Sequence, residues 1–165
     1  MLLGCGKGEA LMMRRLITIL ALLAAGPAAA QPRPPVQYYG PPQVPGQPPL
    51  PFSRAVRAGD MLYLSGQIGV GADGRLPEGI EAQTRQAMEN IGAVLRSAGR
   101  GWDDVVHCTA MLDNMADWPA FNRVYVTYFT PGRLPARSAL GADGLALGAL
   151  VEVECQAWAG RPARR

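Results

Sequence analysis

The apolar positions change their period along the chain, and each period predicts an element. Met61-Leu62-Tyr63-Leu64-Ser65 is a short apolar run behind the turn signal Gly59-Asp60, as a strand buried on both faces would be. It is the second of two short strands expected between Ala55 and Val70. Gly69 to Gly79 holds four glycines and a proline, so it reads as a loop. Ile80, Thr84, Ala87, Met88, Ile91, Leu95 and Ala98 then recur at helical spacing on one face, with Glu81, Arg85, Glu89 and Arg96 mainly on the other. Gly99 is the expected stop. Asp104 to Leu112 is β-like, and Asp117 offers an N-cap to a second helix with Pro119 in its first turn. Phe121, Val124, Tyr125 and Tyr128 form its apolar face. One further strand surrounds Arg137-Ser138-Ala139-Leu140. The last runs from Ala149 to Trp158, where strict alternation puts Val151, Val153, Cys155 and Ala157 on one face and Glu152, Glu154, Gln156 and Trp158 on the other. The order β-β-α-β-α-β-β predicts an α+β unit with both helices covering one face of a mixed sheet.

The first 51 residues have a different texture. Arg14-Arg15 precede an apolar run from Leu16 to Ala25, broken by Gly26-Pro27 and followed by Ala28-Ala29-Ala30. A positive start, a short apolar stretch and an A-x-A site are the parts of a secretory signal, with cleavage expected after Ala30. The run is about half of what a spanning helix needs, so no permanent membrane anchor is expected. The start codon is left open between Met1, Met12 and Met13. Residues 31–51 carry nine of the chain's 15 prolines. They read as an extended, largely unpacked linker, unable to join a helix or a sheet ladder. The division is therefore 1–30 extension and signal, 31–51 linker, 52–160 globular domain and 161–165 Arg-rich tail.

Charge changes the picture only once this division is made. The 165 residues carry 16 Lys+Arg and 13 Asp+Glu, a formal +3. Beyond residue 30 there are 13 Arg, no Lys and 12 acids, which leaves +1 and no electrostatic case for a nucleic-acid partner. Cys5 lies in the extension, leaving Cys108 and Cys155 mid-strand; buried thiols and a disulfide both fit an exported protein.

The candidate chemistry is sparse. His107 is the single histidine, with no dense His/Cys/carboxylate cluster, so no metal centre is expected. There is no P-loop or GxSxG motif. Arg137 is more informative, an arginine among small and apolar neighbours in Pro135-Ala136-Arg137-Ser138. A charge there needs a partner or an anion to hold. A salt bridge to Glu152 and an anion site both fit. Glu152 and Glu154 share a strand face, where like charges are unfavourable unless separated or neutralised.

From Pro51 to Ala159 the chain resembles the RidA (YjgF-type) family of reactive-intermediate enamine/imine deaminases. The matching blocks are Met61 to Ile68, Gln83 to Ile91, Asp104-Val105-Val106, Phe121 to Tyr125, Pro135-Ala136-Arg137-Ser138 and Val151-Glu152-Val153-Glu154. The resemblance implies a two-layer chorismate-mutase-like unit with a mixed six-stranded-type sheet, two helices on one face, and a homotrimer with ligand pockets between adjacent subunits. It implies hydrolysis of 2-imino acids to 2-keto acids and ammonia without a cofactor. Arg137 would hold the substrate carboxylate and Glu152 would position and activate the attacking water. Phe52, Ser65, Gly66 and Asn122 would shape the binding pocket, and Glu154 would be structural. Three features depart from the pattern: Phe52 replaces the usual tyrosine, Ala139 stands where cysteine is frequent, and the stretch between Phe129 and Pro135 is short. The alternative is a non-catalytic trimer of the same fold that binds a small carboxylate ligand or protects other proteins. The signal places either one in the periplasm or outside the cell.

Overall fold

The computed structural model describes residues 35–40 and 50–160. The expected signal peptide, most of the linker and the Arg-rich tail lie outside the described residues. Seven strands build one sheet: β1 (Gln37–Tyr39), β2 (Ala55–Ala58), β3 (Met61–Leu64), β4 (Gln67–Ile68), β5 (Val105–Leu112), β6 (Ala136–Gly141) and β7 (Val151–Trp158). Among the described residues two α-helices accompany them, α1 (Ile80–Ser97) and α2 (Trp118–Tyr125). The strand order is β1-β2-β3-β7-β5-β6, with β4 continuing beside β7. All pairings are antiparallel except β5 with β6, so the sheet is mixed as expected.

The alternation in β7 decides which face meets the helices. Val151, Val153, Cys155 and Ala157 are all buried, whereas Glu152 and Gln156 are half-buried and Glu154 and Trp158 exposed. The helical stripe meets that apolar face: Thr84, Ala87, Met88, Ile91 and Leu95 of α1 are fully buried, as are Phe121 and Tyr125 of α2. Each large apolar side chain so covered contributes about 1.5–3 kcal/mol. Gly99 ends α1 in the left-handed region at φ 68°, while the Arg100 N–H returns to Leu95 O at 2.9 Å. The buried Gln83 side chain ties α1 to the sheet. Its amide donates to Pro77 O at 3.1 Å and its oxygen accepts from the Leu150 N–H at 2.8 Å, at the entrance to β7.

Two sequence expectations are corrected here. The linker was expected to pair with nothing, yet Gln37-Tyr38-Tyr39 forms β1 and aligns with Arg57, Val56 and Ala55 of β2. This tripeptide is free of proline and holds two strand-favouring tyrosines, so local composition overrides the average of the segment. The sheet therefore gains a seventh strand. Asp117 makes no side-chain cap; Asn114 accepts from the Ala116 N–H at 3.0 Å and caps a 3₁₀ turn that leads into α2.

The structure closes the cysteine question. Cys108 and Cys155 are register partners across β5 and β7, their Cα atoms 4.1 Å apart, and form a buried disulfide. The bond joins the two central strands beneath the helices.

Candidate active site

The candidate residues fall into two groups. The first surrounds Glu152. In β7, Glu152 pairs with Ile68 of β4 and Met111 of β5. The chain passes beside it at Gly66. A Cβ on Gly66 would lie 1.9 Å from a Glu152 carboxylate oxygen, so only glycine allows this approach. Burial pushes the Glu152 carboxyl above its ordinary value, and the neighbouring Glu154 pushes it further the same way. A half-buried carboxylate that holds its proton more readily than usual is a suitable general base or acid near neutral pH.

Beside this carboxylate lies a cleft of about 580 Å³, lined by Phe52, Arg54, Gly66, Gln67, Gln86 and Asn90 among others. Its walls are braced by amide side chains. Asn90 donates to Ile68 O and Val70 O, each at 3.0 Å, and accepts from the Gln86 amide at 3.0 Å. Gln67 donates to Ser65 O at 3.0 Å and Gly66 O at 2.9 Å. The Ser65 hydroxyl donates to Ser53 O at 2.7 Å, so it pins the segment that carries Phe52. Phe52 is half-exposed at the cleft wall and open to a stacking partner.

The second group surrounds Arg137. In β6, Arg137 is the register partner of Cys108 in β5. Its guanidinium lies over the rings of Trp118 at 4.5 Å, Tyr125 at 4.6 Å and Phe121 at 5.6 Å, all from α2. Such contacts hold a guanidinium plane without consuming its N–H donors. Burial pushes the Tyr125 phenol up to about 12, a rise that Arg137 opposes. The Tyr125 hydroxyl and the Asn122 Oδ1 are buried here without a hydrogen-bond partner.

Arg137 and Glu152 are not brought together. Directly opposed residues share a sheet face and neighbours along a strand alternate. Arg137, Cys108 and Cys155 are aligned across three strands and face the helices. Glu152, three residues from Cys155, faces the other way. The salt bridge left open from the sequence is thus excluded within one chain. Among the described residues the single ion pair is Arg123 with Glu81, at 2.6 Å on the surface. Phe52 and Gly66 line the cleft and Glu152 lies against Gly66, while Arg137 and Asn122 belong to the opposite layer. His107 sits half-buried at a bulge between β5 and β7. Among the described residues no group of His, Cys, Asp and Glu could hold a metal ion.

Residues 45–159 match the model of the Endoribonuclease L-PSP family. The chain belongs to this family. It is 40% identical over 106 residues to the mouse 2-iminobutanoate/2-iminopropanoate deaminase, an alignment covering 63% of this chain and 78% of that one. It is 38% identical over 107 residues to the chloroplastic Reactive Intermediate Deaminase A of Arabidopsis thaliana, covering 64% of this chain but 57% of the relative. Among solved structures it is similar to a protein of the conserved Rid family from Yersinia pestis, with a TM-score of 0.68 and 37% identity over 75% of this chain and 99% of that one. The RidA resemblance read from the sequence is therefore borne out, and imine deamination is the activity for which the mouse relative is named. The family match begins at residue 45, inside the segment read as linker.

The sequence reading missed Arg54, Gln67, Gln86 and Asn90. Gln86 and Asn90 lie one helical turn apart on α1, a spacing of four that puts both on the flank facing the cleft. That spacing was the available signal.

Proposed function

We propose that this chain is an exported 2-imino acid deaminase that works as a homotrimer, each site built from the Glu152 cleft of one subunit and Arg137 of the next. The observation that carries the reading is the placement of Arg137 and Glu152 on opposite faces of one sheet. A small 2-imino acid cannot touch both within a chain, so a shared site requires a second copy. Two features support assembly. The sheet face away from the helices exposes Tyr63, Val106, Leu140 and Trp158, apolar side chains that a second copy could cover. Strand β6 is an edge, exposed and uncharged apart from Arg137, and such edges are normally covered.

In this reading Arg137 grips the substrate carboxylate with two N–H donors, its plane already set by Trp118 and Tyr125. Glu152 accepts a proton from water as the water oxygen bonds to the C=N carbon, and passes it to the nitrogen. The resulting carbinolamine gives its hydroxyl proton to Glu152 and returns electrons from oxygen to carbon; the nitrogen takes that proton as the C–N bond breaks, and ammonia leaves. Imine and water become 2-keto acid and ammonia with no redox change. Export rests on the signal-like N-terminus and agrees with a disulfide, which persists in oxidising compartments.

Imines generated by an amino-acid oxidase test the reading. Purified protein is expected to speed their hydrolysis well beyond buffer, and Arg137→Ala to lower kcat/KM about 100-fold while sedimentation still reports a trimer. Hydrolysis no faster than buffer would favour the non-catalytic alternative. A stable monomer would remove the shared site.

A further inference from the structure

The cleft holds a cation that the proposed reaction does not use. Arg54 directly precedes β2. Its N–H donates to Tyr39 O at 2.8 Å and its carbonyl accepts from the Ser65 N–H at 2.9 Å, so its backbone is fastened on both sides. Ala55, the next residue, is buried under the helices. Alternation therefore turns Arg54 to the opposite face, the face of Glu152. Arg54 lines the cleft with Phe52, Gly66 and Gln67. Among the described residues no ion pair involves it. The amide donors of Asn90 and Gln67 are committed to loop carbonyls, and that of Gln86 to Asn90. The guanidinium of Arg54 is thus the cleft's uncommitted cationic donor, on a backbone fastened to both neighbours.

We propose that Arg54 binds a second carboxylate, carried on the substrate side chain, so that this chain prefers dicarboxylic 2-imino acids such as the imines of aspartate and glutamate. The inference rests on the imine-deaminase reading, in which Arg137 takes the carboxylate next to the C=N carbon. A planar guanidinium recognises a further carboxylate best, by paired charge-assisted hydrogen bonds. The cleft leaves room for the longer chain: about 580 Å³ lies within the range of pockets for ligands much larger than a three-carbon imine. Leu50, Phe52 and Leu147 supply an apolar wall for the methylene spacer. The preference would separate this chain from the mouse relative, whose name specifies aliphatic monocarboxylic imines.

Two measurements on the full chain test this. In the first, imines of glutamate and of norvaline are made in situ by oxidases, and the ratio of their kcat/KM values is taken for wild type and for Arg54→Gln. The expected wild-type ratio favours the dicarboxylic imine, and Arg54→Gln lowers that ratio about 10- to 100-fold. An unchanged ratio overturns the proposal while leaving imine hydrolysis standing. So does an equal loss on both imines, because Arg54 would then act through Glu152 and not on the substrate. In the second, calorimetry compares binding of 2-oxoglutarate with 2-oxopentanoate. Tighter binding of the dicarboxylate, lost in Arg54→Gln, supports the subsite even if no imine is turned over. Equal binding of the two keto acids overturns it whatever the turnover.

Discussion

The surroundings of Glu152 and of Arg137 differ in how complete they are. Around Glu152 the amide donors are occupied: Asn90, Gln86 and Gln67 bond to the loop or to one another, and Ser65 fastens the Phe52 segment. Around Arg137 the Asn122 oxygen and the Tyr125 hydroxyl are buried and unpartnered, and the guanidinium is held by ring faces alone. Buried polar groups normally have partners, so the Arg137 surroundings are the less satisfied of the two.

The largest way to disturb the relation between the halves is to remove the bond between the strands that carry them. The disulfide joins β7, which bears Glu152, to β5, the neighbour of the Arg137 strand. Its cysteines are 47 residues apart in sequence. Replacing both with serine is expected to cost about 4 kcal/mol of stability by loop entropy, read as a lower denaturant midpoint. Unfolding of the variant should then be insensitive to reductant, unlike that of the wild type.

A more local disturbance is Gly66→Ala. The new methyl would displace the Glu152 carboxylate while leaving the Arg137 surroundings untouched. We expect about tenfold lower kcat or more, with a stability loss of about 1–3 kcal/mol. Unchanged kcat would separate Glu152 from the chemistry. The smallest effect should come from Glu154→Gln. Glu154 raises the Glu152 carboxyl, so its neutralisation lets Glu152 ionise at lower pH. A base must be ionised to act, hence activity that falls on acidification should persist to lower pH in the variant. Burial is the larger cause of the raised value, so most of the rise should survive in the variant.

Much of the fold was legible because period and burial coincide. The stripe of α1 and the alternation of β7 each bury one face, and both were read residue by residue. Strand β1 was not, because three strand-forming residues stand among prolines that dominate any window average. The disulfide needed the β5–β7 register, which no single segment encodes. Arg137 and Glu152 were identified as residues, but their placement on opposite faces depends on parity counted across three strands. Ser65 was read as a pocket residue from the resemblance, and its bond to Ser53 O could be seen only in the fold. The amides of α1 and the arginine before β2 carry no apolar period, so their convergence on a cleft emerges only from the fold.

The central claim is that one site takes Arg137 and Glu152 from different subunits. It is tested most directly by mixing Arg137→Ala with Glu152→Gln, each inactive alone, in equal amounts through unfolding and reassembly. Random assembly places an intact Arg137 opposite an intact Glu152 at roughly one site in four, so about a quarter of wild-type activity should return. Mixed trimers with no recovered activity would contradict a shared site.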